Sequence, residues 1–333
     1  MLNITKDSST ILKGIVIMMM LFLHLFNNHH TDLCTNLLYI GNLPFALWLS
    51  RACNPVQYFL LLSGYGLAYK YEKHSLNPKH QVRSILKLYL HYWIVLLVFL
   101  LIGQTLVPDR YPNNFNLLIQ NILGWHTTYN AEMWFIFPYA IISFCSLYII
   151  RVIDKIGVVW AFTAKACIHI GSSYLISRHG VFFFNNMVLY QPILFFHLLY
   201  AFTVGVIFRQ TKFSFRVQLP QWAIHFSIII LISILCITDF DGFYMFCVPF
   251  LVILFSRIHY TKWLKKLLLE LGRKSMPIWM IHTWLAYYLF QPQVYSLKYV
   301  PLIFIAVLVC SYLISIPVMW VAERINQHLP KVF

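Results

Sequence analysis

The chain has very little charge for its length. Of 333 residues only 11% are Asp, Glu, Lys or Arg, and just 10 are acidic. A soluble domain carries about a quarter charged residues. No polar stretch is long enough to fold by itself, so 1–333 is expected to form one polytopic domain without a separate soluble one. Cys/His spacing of the kind that holds a metal is missing, and no metal is expected. The first apolar run is followed by Asn27-Asn28-His29-His30 and not by the small residues of a cleavage site, so it reads as a retained span and not a signal peptide. No internal or inverted repeat is visible, although many transporters show one. Five of the seven cysteines fall in or near apolar runs, as packing residues do. Cys34 and Cys53 share one outer loop and could pair in an oxidising compartment.

What the chain does have is apolar length: 60% of it is hydrophobic and 18% aromatic. Runs near the ~20 residues that cross ~30 Å of hydrocarbon recur throughout. They predict spans at about 11–27, 55–71, 84–107, 133–150, 156–176, 188–208, 221–238, 243–259, 274–290 and 300–321. The fold class expected is therefore an all-α membrane protein of about ten helices.

The net charge of +15 would suggest nucleic acid in a soluble protein, but its placement says otherwise. With a cytoplasmic N-terminus, twenty Lys and Arg fall on inner segments, including Arg216 and Lys331. Four fall on outer ones (Arg51, Arg110, Arg178 and Lys298), and Lys165 lies within a span. This is the positive-inside bias, it alternates at every loop, and it puts both termini in the cytoplasm. The basicity reports topology, and no nucleic-acid partner is expected. Three further stretches, 37–49, 115–125 and 263–271, mix apolar and polar residues as interfacial helices do.

Several polar residues interrupt the spans. Lys13 and His24, eleven positions apart, lie on one helix face about 16 Å apart along the axis. The lysine would sit at the cytoplasmic mouth and the histidine toward the outer half, where a neutral imidazole can act as base or nucleophile. A polar residue packed between helices is the plainer reading, because His91, His169, His197, His225 and His282 also fall in apolar runs. Arg83, Lys87 and His91 recur every four residues on the third span, a cationic stripe suited to a phosphorylated ligand or to anchoring at the interface. Ser63 and Gly64 stand mid-span, where small residues permit close helix approach. Glu132 opens the fourth span just before Trp134, and either orients the imidazole, binds an acceptor hydroxyl or favours the helix start. Gly272 and Ser275 suit a turn into the ninth span, which runs on to His282.

Together these segments resemble the acyltransferase-3 family of membrane O-acyltransferases. The family's first-span pattern, Arg or Lys, ten residues, then His, is similar to Lys13 and His24. Its Ser-Gly-aromatic pattern resembles Ser63-Gly64-Tyr65, and its Trp-Phe pair resembles Trp134-Phe135. Its late pattern resembles Leu271-Gly272-Arg273-Lys274-Ser275 followed by Trp279-Met280-Ile281-His282, and its final acid resembles Glu323. The matches keep family order over nearly the whole chain. Where the family has Arg-x-x-Arg on the third span, this chain has Ser84 and Lys87, with Arg83 offset by 100° around the helix.

The resemblance implies transfer of an acyl group, most commonly acetyl, from cytoplasmic acyl-CoA to a hydroxyl of a surface or lipid-linked glycan. The setting would be a bacterial cytoplasmic membrane, with acetyl-CoA as donor substrate and no tightly bound cofactor. Lys13, Arg83 and Lys87 would meet the donor's phosphates, and His24, with Glu132, would carry the chemistry. Ser63, Gly64, Trp134, Ser275 and His282 would contact substrate or an oxyanion. The alternative from another class is a membrane transporter or exporter of glycan or acyl intermediates without catalysis.

Overall fold

The computed structural model describes residues 4–112, 114–212, 219–238 and 241–328; Arg216 and Lys331, counted above among the inner charges, lie outside the described residues. About 81% of the structure is helical. In chain order the helices are α1 (Lys6–Phe26), α2 (Phe45–Ser50), α3 (Pro55–Glu72), α4 (Pro78–Leu106), α5 (Phe115–Leu123), α6 (Ile136–Ile156) and α7 (Val158–Phe184). They continue as α8 (Met187–Gln210), α9 (Gln221–Thr238), α10 (Asp241–Phe255), α11 (Lys262–Arg273), α12 (Ser275–Thr283), α13 (Gln291–Tyr295) and α14 (Val300–His328).

Six segments among the described residues are long and apolar enough to cross a membrane: Lys6–Phe26, Pro78–Leu106, Ala131–Ile156, Met187–Gln210, Gln221–Thr238 and Val300–His328. The other four expected spans coincide with helices that fall short for identifiable reasons. α3 has 18 residues and ends in the polar run from Lys70 to Glu72. α7 carries Lys165, His169 and Arg178 along its length. α10 has 15 residues, and α12 has nine before it passes into a five-residue π-turn, Trp284–Tyr288. On the long helices Leu97, Leu101, Ile229, Leu302, Ile305 and Leu313 are exposed. Apolar faces of that extent suit lipid and not water. The chain is a multi-pass membrane protein.

The helices begin and end where their caps dictate. Thr5 accepts the Ser8 amide at 3.1 Å to start α1, and Asn77 accepts the Lys79 amide with Pro78 opening α4. Asn114 accepts the Leu117 amide at the start of α5, and Gly124, at a φ of +67°, closes it in the left-handed region that glycine tolerates.

Of the three expected interfacial helices, 115–125 and 263–271 are helical as α5 and α11. The first is not. Tyr39–Ile40 (β1) and Leu43–Pro44 (β2) form a two-stranded hairpin before the short α2. Gly41, at φ +59°, supplies the positive angle that a two-residue hairpin turn requires. Cys34 and Cys53 are separate free thiols. Each thiol reaches a carbonyl of its own turn, Cys34 that of Thr31 at 3.2 Å and Cys53 that of Leu49. Burial, and for Cys34 also the charge of Asp32, raises these thiols to about 11 and about 12.

Contacts divide the chain into two compact units. The first comprises Met1–Phe59 and Ser214–Val321, the second Leu60–Phe213 and Ala322–Phe333. In the first, α1 packs on α2, α11 and α12, and α9 packs on α2 and α10. Glycines set the closest approach. Gly14 lies against the Leu268 backbone and Gly272 against the Thr10 backbone, so close that a Cβ at either would collide. The paired positions run in opposite senses, so α11 lies antiparallel along the first half of α1. In the second unit α8 packs on α6 and α7, and α4 packs on α6.

Candidate active site

α1 is helical from Lys6 to Phe26, so Lys13 and His24 share one face as their spacing predicts. The last four carbonyls of a helix have no partner within it. Here two of them are met by tyrosines from beyond α12. The Tyr287 hydroxyl donates to the His24 carbonyl, and the Tyr295 hydroxyl donates to the Leu25 carbonyl at 2.9 Å. Tyr287 lies in the π-turn, a distortion that recurs at functional sites.

The His24 side chain meets His282, which is fully buried on α12. His24 Nδ1 and His282 Nε2 are 2.8 Å apart, with the rings parallel within 2° and their centroids 5.0 Å apart. The second nitrogen of His282 fixes the roles. Its Nδ1 lies 2.7 Å from the Trp279 carbonyl, which can only accept, so that nitrogen carries the hydrogen. In a neutral ring Nε2 is then an acceptor, and His24 Nδ1 must donate to it. His24 Nε2 is left with an available lone pair. The chain of bonds from Trp279 through His282 to His24 selects the tautomer in which His24 can act as base or nucleophile.

Beyond the end of α1, His30 stacks on Tyr287 with centroids 4.1 Å apart and planes within 3°. Asn27 Oδ1 accepts from His30 Nδ1 at 2.8 Å. Burial, helped by the neighbouring His29, lowers His30 to about 4, so the stacked ring is neutral at physiological pH.

Lys13 is half-buried and makes no hydrogen bond or ion pair among the described residues. Ser275 is buried where α11 meets α12, and its hydroxyl donates to the Gly272 carbonyl at 3.0 Å, bracing the turn.

The remaining expected site residues belong to the second unit. Arg83 and Lys87 are exposed on α4, and His91 Nδ1 donates to the Lys87 carbonyl at 2.7 Å. Ser63 Oγ lies 3.2 Å from the hydroxyl of the half-buried Tyr139. Gly64 stands mid-helix in α3 against the Phe202 backbone. Its amide closes the helix ladder, which leaves no free N–H for an oxyanion, and close packing accounts for the glycine. Glu132 and Trp134 lie in the 3₁₀ turn Ala131–Phe135 that leads into α6, with Trp134 edge-on to Phe135. The orienting partner that the structure gives His24 is His282.

A family model described as an acyltransferase domain matches residues 7–323, nearly the whole chain. The chain belongs to the acyltransferase-3 family. No curated protein and no solved structure matches it significantly.

Three features of this acyltransferase escape a reading of the sequence. His24 and His282 are 258 positions apart, and helical periodicity assigns each a face without saying which faces meet. The Trp279 carbonyl that sets the tautomer lies one turn before His282 on the expected ninth span, but periodicity does not say which acceptor His282 Nδ1 meets. Tyr287 and His30 carry no motif, and the π-turn that aims Tyr287 at α1 has no sequence signal of its own.

Proposed function

We propose that this acyltransferase moves an acyl group, most commonly acetyl, from cytoplasmic acyl-CoA to a hydroxyl of a surface or lipid-linked glycan, across a bacterial cytoplasmic membrane spanned ten times. The observation that carries the chemical part is the hydrogen-bonded pair of His24 and His282 within a multi-pass acyltransferase fold.

The reaction needs a base for the acceptor hydroxyl. On this reading His24 Nε2 takes the hydroxyl proton as its oxygen bonds the thioester carbonyl carbon. Collapse of the tetrahedral adduct breaks the C–S bond, and Nε2 returns the proton to the leaving thiolate. Throughout, His24 Nδ1–H donates to His282 Nε2, which stabilises the imidazolium while it exists. The same free lone pair would serve if His24 instead carried the acyl group between donor and acceptor. Lys13, Arg83 and Lys87 are suited by charge to the donor's phosphates, and Ser63, Trp134 and Glu132 by hydrogen bonding and ring contact to the acceptor.

The test is His24→Ala in purified protein, followed by acyl transfer from labelled acetyl-CoA and by O-acetyl content of surface glycan in cells. Loss of a positioned general base costs roughly 10²–10⁴-fold, and the variant is expected to fall at least that far. Persistent O-acetylation with failed glycan export would refute the enzymatic role of His24 and favour transport.

A further inference from the structure

The first unit holds a cavity of about 480 Å³ between α11 and α14, and its walls are mainly cationic. α11 is amphipathic. Leu268, Leu271 and Gly272 are buried, while Lys262, Lys265, Lys266 and Arg273 are exposed and line the cavity. One carboxylate, Glu270, faces these charges, and it is already engaged. Lys274 and Arg273 pair with it, and the Tyr312 hydroxyl donates to it at 3.0 Å. Lys274 also lies 4.9 Å from the centre of the Tyr312 ring. Lys262, Lys265 and Lys266 make no ion pair or hydrogen bond among the described residues. The cavity therefore presents uncompensated positive charge beside an aromatic ring, which is complementary to a phosphorylated group.

A second cavity, of about 600 Å³ in the other unit, makes a useful contrast. It is lined by two carboxylates, Glu72 and Asp154, with Arg151 and His74 beside them. Mixed charge of that kind does not select an anion.

The position of the cationic cavity along α1 is fixed by the glycine contacts. Leu268 lies at the level of Gly14 and Gly272 at that of Thr10, so the antiparallel α11 carries Lys265 and Lys266 toward the level of His24 and Arg273 away from it. At 1.5 Å per residue the α11 wall of the cavity spans axial distances of roughly 6–22 Å from His24, from Lys262 to Arg273, with Lys13 inside that interval. A donor whose anionic end and thioester are joined by an extended arm matches this separation.

We propose that the α11–α14 cavity seats the phosphorylated end of the acyl donor, with Lys262, Lys265 and Lys266 contacting its phosphates. The inference rests on the acyl-CoA reading above and adds a binding site to it. The shared chemistry is phosphate recognition by lysine and arginine, so anionic lipid headgroups form the second arm of the test.

Coenzyme A is titrated calorimetrically into the full-length protein in zwitterionic nanodiscs, with wild type compared to Lys265→Glu/Lys266→Glu and to Lys265→Arg/Lys266→Arg. Both positions are exposed, and matching thermal midpoints check that the variants are folded. The Glu pair is expected to weaken coenzyme A at least tenfold, and the Arg pair to stay within about threefold of wild type. The wild-type affinity should fall with added salt more steeply than that of the Glu pair. Unchanged coenzyme A affinity in the Glu pair overturns the proposal. If that pair instead loses only its retention of phosphatidylglycerol in mixed-lipid discs, the cavity is a headgroup site and the donor assignment is overturned. A wild type that does not bind coenzyme A removes the acyl-CoA reading and this site with it, an outcome distinct from the other two.

Discussion

His24 donates from Nδ1 only while His282 presents a bare Nε2, and His282 does so only while the Trp279 carbonyl holds its other hydrogen. The usefulness of His24 thus depends on a residue that need not touch substrate. His282→Gln keeps an amide oxygen able to accept from His24 Nδ1, whereas His282→Phe keeps the volume and removes the acceptor. The Gln variant is expected to retain kcat within about tenfold of wild type, and the Phe variant to lose roughly 10²-fold or more, in the range of a mispositioned base. KM for the acyl donor should change little in either, because the tautomer matters at the chemical step. Steady-state kinetics on both variants checks this. Equal losses in Gln and Phe, or a loss confined to KM, would show that His282 acts through packing alone.

At the scale of elements, α1 is held to α11 by backbone contact at two glycines, and this predicts a difference between glycines that look alike in sequence. Gly14 and Gly66 both stand inside helices. A Cβ on Gly14 would meet the Leu268 backbone, which cannot rotate away, while a Cβ on Gly66 meets nothing within 4 Å. Gly14→Ala is therefore expected to destabilise by about 1–3 kcal/mol as the helices are forced apart. Gly66→Ala should be neutral or stabilise by up to about 1 kcal/mol through helix propensity. Thermal unfolding in detergent compares them, and equal shifts would contradict the packing described.

The same pair shows what was legible beforehand. That Lys13 and His24 share a face follows from a period of 3.6 residues in an unbroken apolar run, and α1 has that arrangement. Which helix would cover Gly14 did not follow, because small residues signal that something approaches closely and not what. Nor did the hairpin at 39–44, where the mixed polarity of 37–49 resembled an interfacial helix and the deciding feature was the backbone freedom of Gly41. Periodicity is a local property, whereas the His24–His282 bond and the π-turn that aims Tyr287 are products of tertiary packing.

For the whole molecule, the sequence and the lengths of the helices give different numbers of crossings. Helix length and apolarity select six helices among the described residues, while the apolar runs of the sequence and the alternation of Lys and Arg between their loops favour ten spans. The two readings differ in parity at particular loops, so a few labels separate them. Between Asn28 and Lys73 the ten-span reading places one crossing, α3, and the six-span reading none. Between Lys73 and Lys298 the ten-span reading places seven crossings, and the six-span reading four. With ten spans, Asn28 and Lys298 face outward and Lys73 inward; with six, all three share a side. Each position is exposed. Cysteines introduced there singly, in a background where exposed Cys167 and Cys310 are replaced by Ser, can be probed in intact cells with a membrane-impermeant maleimide. Labelling of the Asn28 and Lys298 variants, with the Lys73 variant reacting only after permeabilisation, is the expected result. Labelling of all three, or of none, in intact cells would rule out ten spans. It would also put the cationic face of α11 and the mouth of the Lys13–His24 path on sides that the positive-inside bias cannot assign, since that bias is read from the same loops.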